Sequence, residues 1–254
     1  MKIAVCLKQV PARDWQPRVN DQKTWVRDQD ASFETNEPDA YALEEGLRLK
    51  EMLGGEVVVC SAGPARVSQA LREALARGAD RAIHVEDDRL AAADAFAVAE
   101  ALASAMRDEQ FDLVLTGLQS DDQGFAQTGV MLAELLGIAS ATIIMEVDVQ
   151  AGALRVKREL EGGWFQWVGV PLPALLTIQS GINQLRYATL KGIMAAKKKE
   201  IRKVVPPAGG SPRQQIVSLY VPEKRKHTEM IGGAAADAAK TLIKLLREDA
   251  RVLS

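Results

Sequence analysis

Apolar positions along the first 145 residues fall into two alternating rhythms. Short aliphatic and β-branched runs at residues 2–7, 56–61, 81–85 and 111–116 have the length and composition of buried strands. Longer segments at 38–52, 64–77, 90–106 and 127–136 mix apolar with charged positions at helical spacing. Gly54-Gly55, Gly78 and Gly137 follow three of them as stop signals. Strands without polar faces, alternating with helices, predict an α/β fold: a doubly wound, mostly parallel sheet with helices on both faces. In such a fold, ligands sit beyond the carboxyl ends of the strands.

The rhythm changes at about Ala141. Residues 141–149, 153–157, 165–170 and 174–178 are strand-like with no long helix between them, which predicts a β meander added to the parallel sheet. Trp164 and Trp167 bracket the Gly162-Gly163 turn in a way that core or interface packing explains. The run Pro206-Pro207-Ala208-Gly209-Gly210-Ser211-Pro212 breaks regular structure and reads as a linker. Beyond it, residues 233–247 form an amphipathic helix with Leu242, Ile243, Leu245 and Leu246 on its apolar side. The expected organisation is an α/β domain over 1–205 and an extended C-terminal arm over 206–254 that packs on a partner chain.

Composition narrows the function classes. The 254 residues carry a formal net charge of −2, which argues against a nucleic-acid binder. No apolar run is long enough to span a bilayer, and the N-terminal run reads as a strand, not a signal peptide. The chain is therefore expected to be cytoplasmic. Cys6 and Cys60 both lie in strand-like runs and are expected to be buried free thiols. His84 and His227 are the sole histidines, and the sequence holds no metal-ligand cluster.

Three segments could carry chemistry. The strand at 111–116 leads into Gly117-Leu118-Gln119-Ser120-Asp121-Asp122-Gln123-Gly124-Phe125-Ala126-Gln127-Thr128-Gly129, a loop that opens a helix. Small residues there let backbone N–H groups approach an anion, and a helix N-terminus favours negative charge. Asp121 and Asp122 would repel a phosphate unless they turn away. A plain polar connection explains the composition as well, because neither phosphate-loop nor dinucleotide glycine spacing is present. Ser61-Ala62-Gly63-Pro64-Ala65 similarly joins a strand to a helix and could form a second wall. Asn36 is either a third wall or an N-cap. No nucleophile, base or metal motif accompanies the two aspartates, so no catalytic residue is assigned. Finally, Leu190, Ile193 and Met194 share one face of a short helix at i, i+3 and i+4. That helix either packs on its own core or presents an apolar anchor ringed by Lys191, Lys197, Lys198, Lys199, Arg202 and Lys203.

Taken in order, these segments resemble the β subunit of electron transfer flavoproteins. The resemblance is carried by the strand Val5-Cys6-Leu7-Lys8-Gln9-Val10, by Ser61-Ala62-Gly63-Pro64-Ala65 and by Gln127-Thr128-Gly129. It continues through Arg158-Glu159-Leu160-Glu161-Gly162-Gly163, Arg186-Tyr187-Ala188-Thr189-Leu190 and Tyr220-Val221-Pro222-Glu223-Lys224. The tail is most similar to bacterial members that accept electrons from amine dehydrogenases.

The resemblance implies an electron carrier, not an enzyme. Its partners would be an α subunit that holds most of a shared FAD, flavoprotein dehydrogenases as donors, and a quinone-linked oxidoreductase as acceptor. It further implies a structural AMP lined by Cys6, Asn36, Ala62 and the loop 117–128, and a recognition loop near 184–199. There Leu190 would be the docking anchor, beside Tyr187, Ile193 and Met194. Leu185 stands where relatives often have proline, and Pro38 replaces an aromatic that some relatives place near the flavin. Members with a second FAD carry a different nucleotide-loop pattern, which favours AMP here. A stand-alone adenine-nucleotide-binding domain of the stress-protein type is the alternative.

Overall fold

The computed structural model describes residues 1–150, 152–206, 212–222 and 228–253. In chain order the elements are β1 (Lys2–Cys6), β2 (Gln9–Pro11), β3 (Phe33–Thr35), α1 (Glu37–Leu53), β4 (Glu56–Gly63), α2 (Ser68–Arg77), β5 (Arg81–Glu86), α3 (Ala95–Met106) and β6 (Leu113–Gly117). Then follow α4 (Thr128–Leu136), β7 (Ala139–Gln150), β8 (Ala153–Glu159), β9 (Phe165–Pro171), β10 (Ala174–Ile178), α5 (Leu190–Ala196), β11 (Ile201–Val204) and α6 (Ala235–Glu248).

The main sheet runs β11-β5-β4-β1-β6-β10-β7-β8-β9. Every pair from β11 to β7 is parallel, and β7, β8 and β9 pair antiparallel. From β1 the chain winds outward to β4 and β5, then returns to β6 on the other side of β1. That reversal opens a crevice at the carboxyl ends of β1 and β6. Alternation along β1 shows why the strands lack a polar face. Ile3 and Val5 pack with Leu43 and Leu47 of α1 and Leu71 and Leu75 of α2, whereas Ala4 and Cys6 pack with Leu102 and Met106 of α3 and Leu132 of α4. The central parallel strands β1, β4, β5, β6 and β10 are buried on both sides.

Three details depart from the sequence pattern. Helix α3 starts at Ala95, not at residue 90. Asp88–Ala92 forms a 3₁₀ turn, and Asp94 then caps α3 by accepting the Ala97 N–H at 2.8 Å. The meander is real for β7, β8 and β9, but β10 folds back between β6 and β7. Its five residues are all buried, as a central strand requires. Strand β11 has no counterpart among the strands that the sequence pattern predicts, in which Arg202 and Lys203 read as a solvated face.

The chain divides into compact units at Met1–Leu219 and Tyr220–Ser254. Residues 212–219 stay with the first unit, where the N–H groups of Arg213 and Gln214 both donate to Asp94 Oδ2. In the second unit α6 leaves Leu242 and Ile243 exposed. Linker residues 207–211, together with Glu223, Lys224 and His227, lie outside the described residues.

Candidate nucleotide cleft and docking face

A cleft of about 120 Å³ lies at the carboxyl ends of β1, β4 and β6, closed by the starts of α1 and α4. Cys6, Asn36, Ala62, Gly117, Gln119, Ser120, Gln123, Phe125, Ala126, Gln127 and Thr128 line it together. Past Lys8, Gln123 and Phe125 it opens into a groove of about 670 Å³. Asp121 and Asp122 line that outer groove and not the cleft. Gly124 lines neither. It makes the loop's turn at φ +65° and sends its N–H to Ser120 O at 2.8 Å.

Ion pairs turn both acids away from the cleft. Lys8 Nζ donates to Asp122 at 2.7 Å, and also to Ser120 Oγ at 3.2 Å and Gln123 Oε1 at 2.9 Å. Asp121 lies 3.7 Å from the Arg13 guanidinium and accepts the Glu37 N–H at 3.4 Å. Asn36 settles between its two readings as a wall. It makes no side-chain cap to α1; its Nδ2 donates to Gln119 O and its Oδ1 accepts the Asp121 N–H, both at 2.9 Å. Helix α4 likewise has no side-chain cap, so its first N–H groups are not taken up by a capping side chain. Gln127 Oε1 is buried with no hydrogen-bond partner. A buried unpaired acceptor costs free energy unless a donor arrives, and an adenine amino group or ribose hydroxyl is such a donor.

Two charged residues of the cleft, Lys8 and Asp39, are not among the candidate site residues legible in the sequence. Asp39 reads locally as an ordinary first-turn acid of α1. In the fold it is buried, accepting the Lys8 N–H at 2.7 Å and the Gly117 N–H at 2.8 Å. Burial pushes its carboxyl up to about 7, against the opposing pull of those two N–H groups, Asn36 and the Lys8 charge. Nothing in the local sequence marks it, because the two donors lie 31 and 78 residues away. Cys6 and Cys60 are free and face each other across β1 and β4; burial raises both thiols, Cys60 to about 12. They are unreactive core residues. His84 is fully buried, with Nε2 3.1 Å from Gly63 O, and burial lowers its pKa. The described residues contain no cluster of three or more His, Cys, Asp or Glu side chains that could hold a metal ion.

The docking candidates lie elsewhere. Arg186 grips Glu44 through Nε at 2.7 Å and Nη2 at 2.9 Å, and reaches Glu51 through Nη1 at 2.5 Å. Asn183 Nδ2 donates to Tyr41 O at 3.1 Å and to Glu45 at 3.0 Å, so the loop is fastened to α1 although Leu185 is not proline. Thr189 caps α5, accepting the Gly192 N–H at 3.0 Å. A Cβ at Gly192 would lie 2.2 Å from Ala76 O, so only glycine lets α5 sit this close to α2. The opposite face is bare: Tyr187 is 93% exposed, Leu190 78%, Ile193 44% and Met194 56%.

The supposed ring of cations is only partly free. Lys199 Nζ donates to the carbonyls of Leu75 and Ala79, Arg202 pairs with Glu109, and Lys203 with Glu86. Lys191, Lys197 and Lys198 remain as exposed candidates. Trp164 and Trp167, 74% and 40% exposed, are not core residues. Arg155 instead stacks over the Trp167 ring at 4.3 Å.

Fold and site together define a doubly wound α/β domain with a preformed cleft at its switch point and a separate, exposed apolar face. The model of the electron transfer flavoprotein domain family matches residues 24–208. The chain is similar to the electron transfer flavoprotein subunit beta of Methylophilus methylotrophus, 36% identical over 261 aligned positions covering 98% of each chain. The human subunit beta is 34% identical over 261 positions covering 99% of each, and that of Bacillus subtilis (strain 168) 34% over 236 positions covering 90% of this chain and 91% of that one. This chain belongs to the electron transfer flavoprotein family, among its beta subunits. Membership makes it part of a flavin-associated electron carrier with an α subunit as partner. No helix among the described residues is long and apolar enough to cross a membrane.

Proposed function

We propose that this chain works in the cytoplasm as the β half of a heterodimer that takes electrons from flavoprotein dehydrogenases and delivers them to a quinone-linked oxidoreductase. FAD, held mainly by the α subunit, supplies the redox chemistry. This chain contributes shape and contacts. Its cleft buries an AMP between Asn36, Ala62 and the loop from Gly117 to Thr128, and the face around Leu190 seats the dehydrogenase. Residues 206–254 form a linker and arm directed at the α subunit, with the apolar side of α6 as its contact.

The observation that carries the AMP assignment is the unpartnered Gln127 Oε1 in a cleft already shaped at a topological switch point. The turned-away acids support it, since paired Asp121 and Asp122 no longer repel an anion at the uncapped start of α4. Supporting the docking assignment is the exposure of Tyr187, Leu190 and Met194 on a loop that is otherwise tied down.

Co-expression with the neighbouring subunit, purification, a visible absorption spectrum and acid release of nucleotides test the whole reading. One FAD and one AMP per heterodimer are expected. Recovery of FAD from this chain alone would overturn the AMP assignment. A homodimer that binds ATP and never acquires flavin would favour the stress-type domain.

A further inference from the structure

Asp39 joins the ends of two strands that sequence does not connect. One carboxylate oxygen accepts the Lys8 N–H just past β1, and the other accepts the Gly117 N–H at the end of β6. Gly117 has no room for a side chain there: an added Cβ would stand 2.4 Å from Asp39 Oδ1 and 2.7 Å from the Asp39 nitrogen. The carboxylate therefore packs against bare backbone, directly under the first residue of the loop that walls the cleft. The same loop is held again by Asn36 through Gln119 O and the Asp121 N–H. We propose that Asp39 is the positioning residue of this cleft, and that its ionised carboxylate holds the walls closed on an adenine nucleotide. This rests on the reading that the cleft binds such a nucleotide.

The chemistry is a matter of donor and acceptor count. An ionised carboxylate offers an acceptor oxygen to each of the two N–H groups, in charge-assisted bonds. Adding a proton turns one oxygen into a hydroxyl donor facing an N–H donor, and one of the two bonds is lost. At a residue only 6% exposed, solvent replaces a lost hydrogen bond poorly. The released strand end carries either Lys8, which grips Ser120, Asp122 and Gln123, or Gly117, which begins the loop. Either way the wall loosens. The Lys8 and Gly117 N–H groups, Asn36 and the Lys8 ammonium all favour the anion, and burial outweighs them, bringing titration to about pH 7. The nearby Cys6 thiol, itself raised by burial, is neutral over this range.

Linkage then gives an outcome that a merely structural acid would not. The folded-state pKa is raised above the unfolded value of 3.8, so the folded chain takes up the proton first. Fold stability consequently gains as pH falls from about 7 towards 3.8, while nucleotide retention drops. The two properties move in opposite directions.

The experiment loads the heterodimer with radiolabelled AMP and follows its dissociation on spin columns between about pH 8.5 and about pH 5.5, with thermal melts alongside. Dissociation is expected to speed up roughly tenfold, the size of one charge-assisted hydrogen bond, while the melting temperature does not fall in step. Labelled adenosine, which has no phosphate to titrate, should show the same midpoint near 7. Asp39→Asn should release AMP rapidly at every pH, with no step. If that variant does not fold, the adenosine profile of the unaltered protein decides. A flat profile, a step surviving in Asp39→Asn, or stability falling together with retention would each overturn the role of Asp39. Absence of any bound adenine nucleotide at all pH values would instead sink the underlying assignment.

Discussion

Replacing Arg186 by methionine tests how the exposed loop is held. The guanidinium makes a two-point contact with Glu44, whose side chain is only 7% exposed, while Arg186 itself is 30% exposed. Removing one member of a well-buried pair costs about 3–5 kcal/mol, because it leaves an uncompensated charge. Water reaches Arg186 partially, so the figure is discounted to about 2–3 kcal/mol. The second contact, with a Glu51 that is 60% exposed, adds close to nothing. For a unit of this size the loss corresponds to a melting temperature lower by roughly 5–10 °C. Urea titration and calorimetry would measure it. Glu44→Gln in the same background removes the stranded charge and should recover most of the loss, which a double-mutant cycle reads directly. An Arg186→Met variant within about 0.5 kcal/mol of the parent, or a double variant no better than the single, refutes the anchoring argument.

Three other outcomes follow from the geometry. Leu190→Ala should leave the melting temperature unchanged, since the side chain is 78% exposed, but raise the Kd for the partner dehydrogenase roughly thirtyfold, as loss of about 2 kcal/mol implies; melting without loss of docking would place Leu190 in the core. Gly192→Ala forces a Cβ to 2.2 Å from Ala76 O, so α5 must lift from α2 at a cost of about 1–3 kcal/mol by denaturant titration. Hydrogen bonds from Arg81 and Lys2 hold Glu109 down at about 2, so its contribution is complete above pH 4.5 and fades as pH falls towards 2. The stability gap between the parent and Glu109→Gln, read from melts across that range, should therefore close; a gap that persists at the acid end contradicts the assignment.

How far the sequence carried the reading depends on the range over which each residue finds its partners. Strands such as Val57, Val58 and Val59, buried on both faces, and glycine stops such as Gly78 are local signals, and they gave the doubly wound core. Walls of the cleft were visible too, because Ala62, Gly117 and Gln127 sit where a strand turns into a helix. Asp39 was not, since the N–H groups it satisfies come from Lys8 and Gly117, which only the fold brings together. The place of β10 was hidden for the same reason: its residues Ala174–Ile178 look alike whether they end a meander or slot between β6 and β7. Charge hid one strand: Arg202 and Lys203 are exposed, as a solvated face requires, yet both lie on β11.

That strand has a consequence for the chain's solubility during synthesis. Until residues 201–204 emerge, β5 presents a bare edge whose middle residues Ala82, Ile83, His84 and Val85 are all buried in the finished protein. An unpaired, apolar edge is a template for any other extended chain. β11 covers it and replaces it with an outer edge bearing Arg202 and Lys203, clamped by Glu109 and Glu86. Charged residues on the last strand discourage further strands from adding there. Chains stopped before residue 201 are therefore expected to self-associate, and the short basic strand is what ends the sheet.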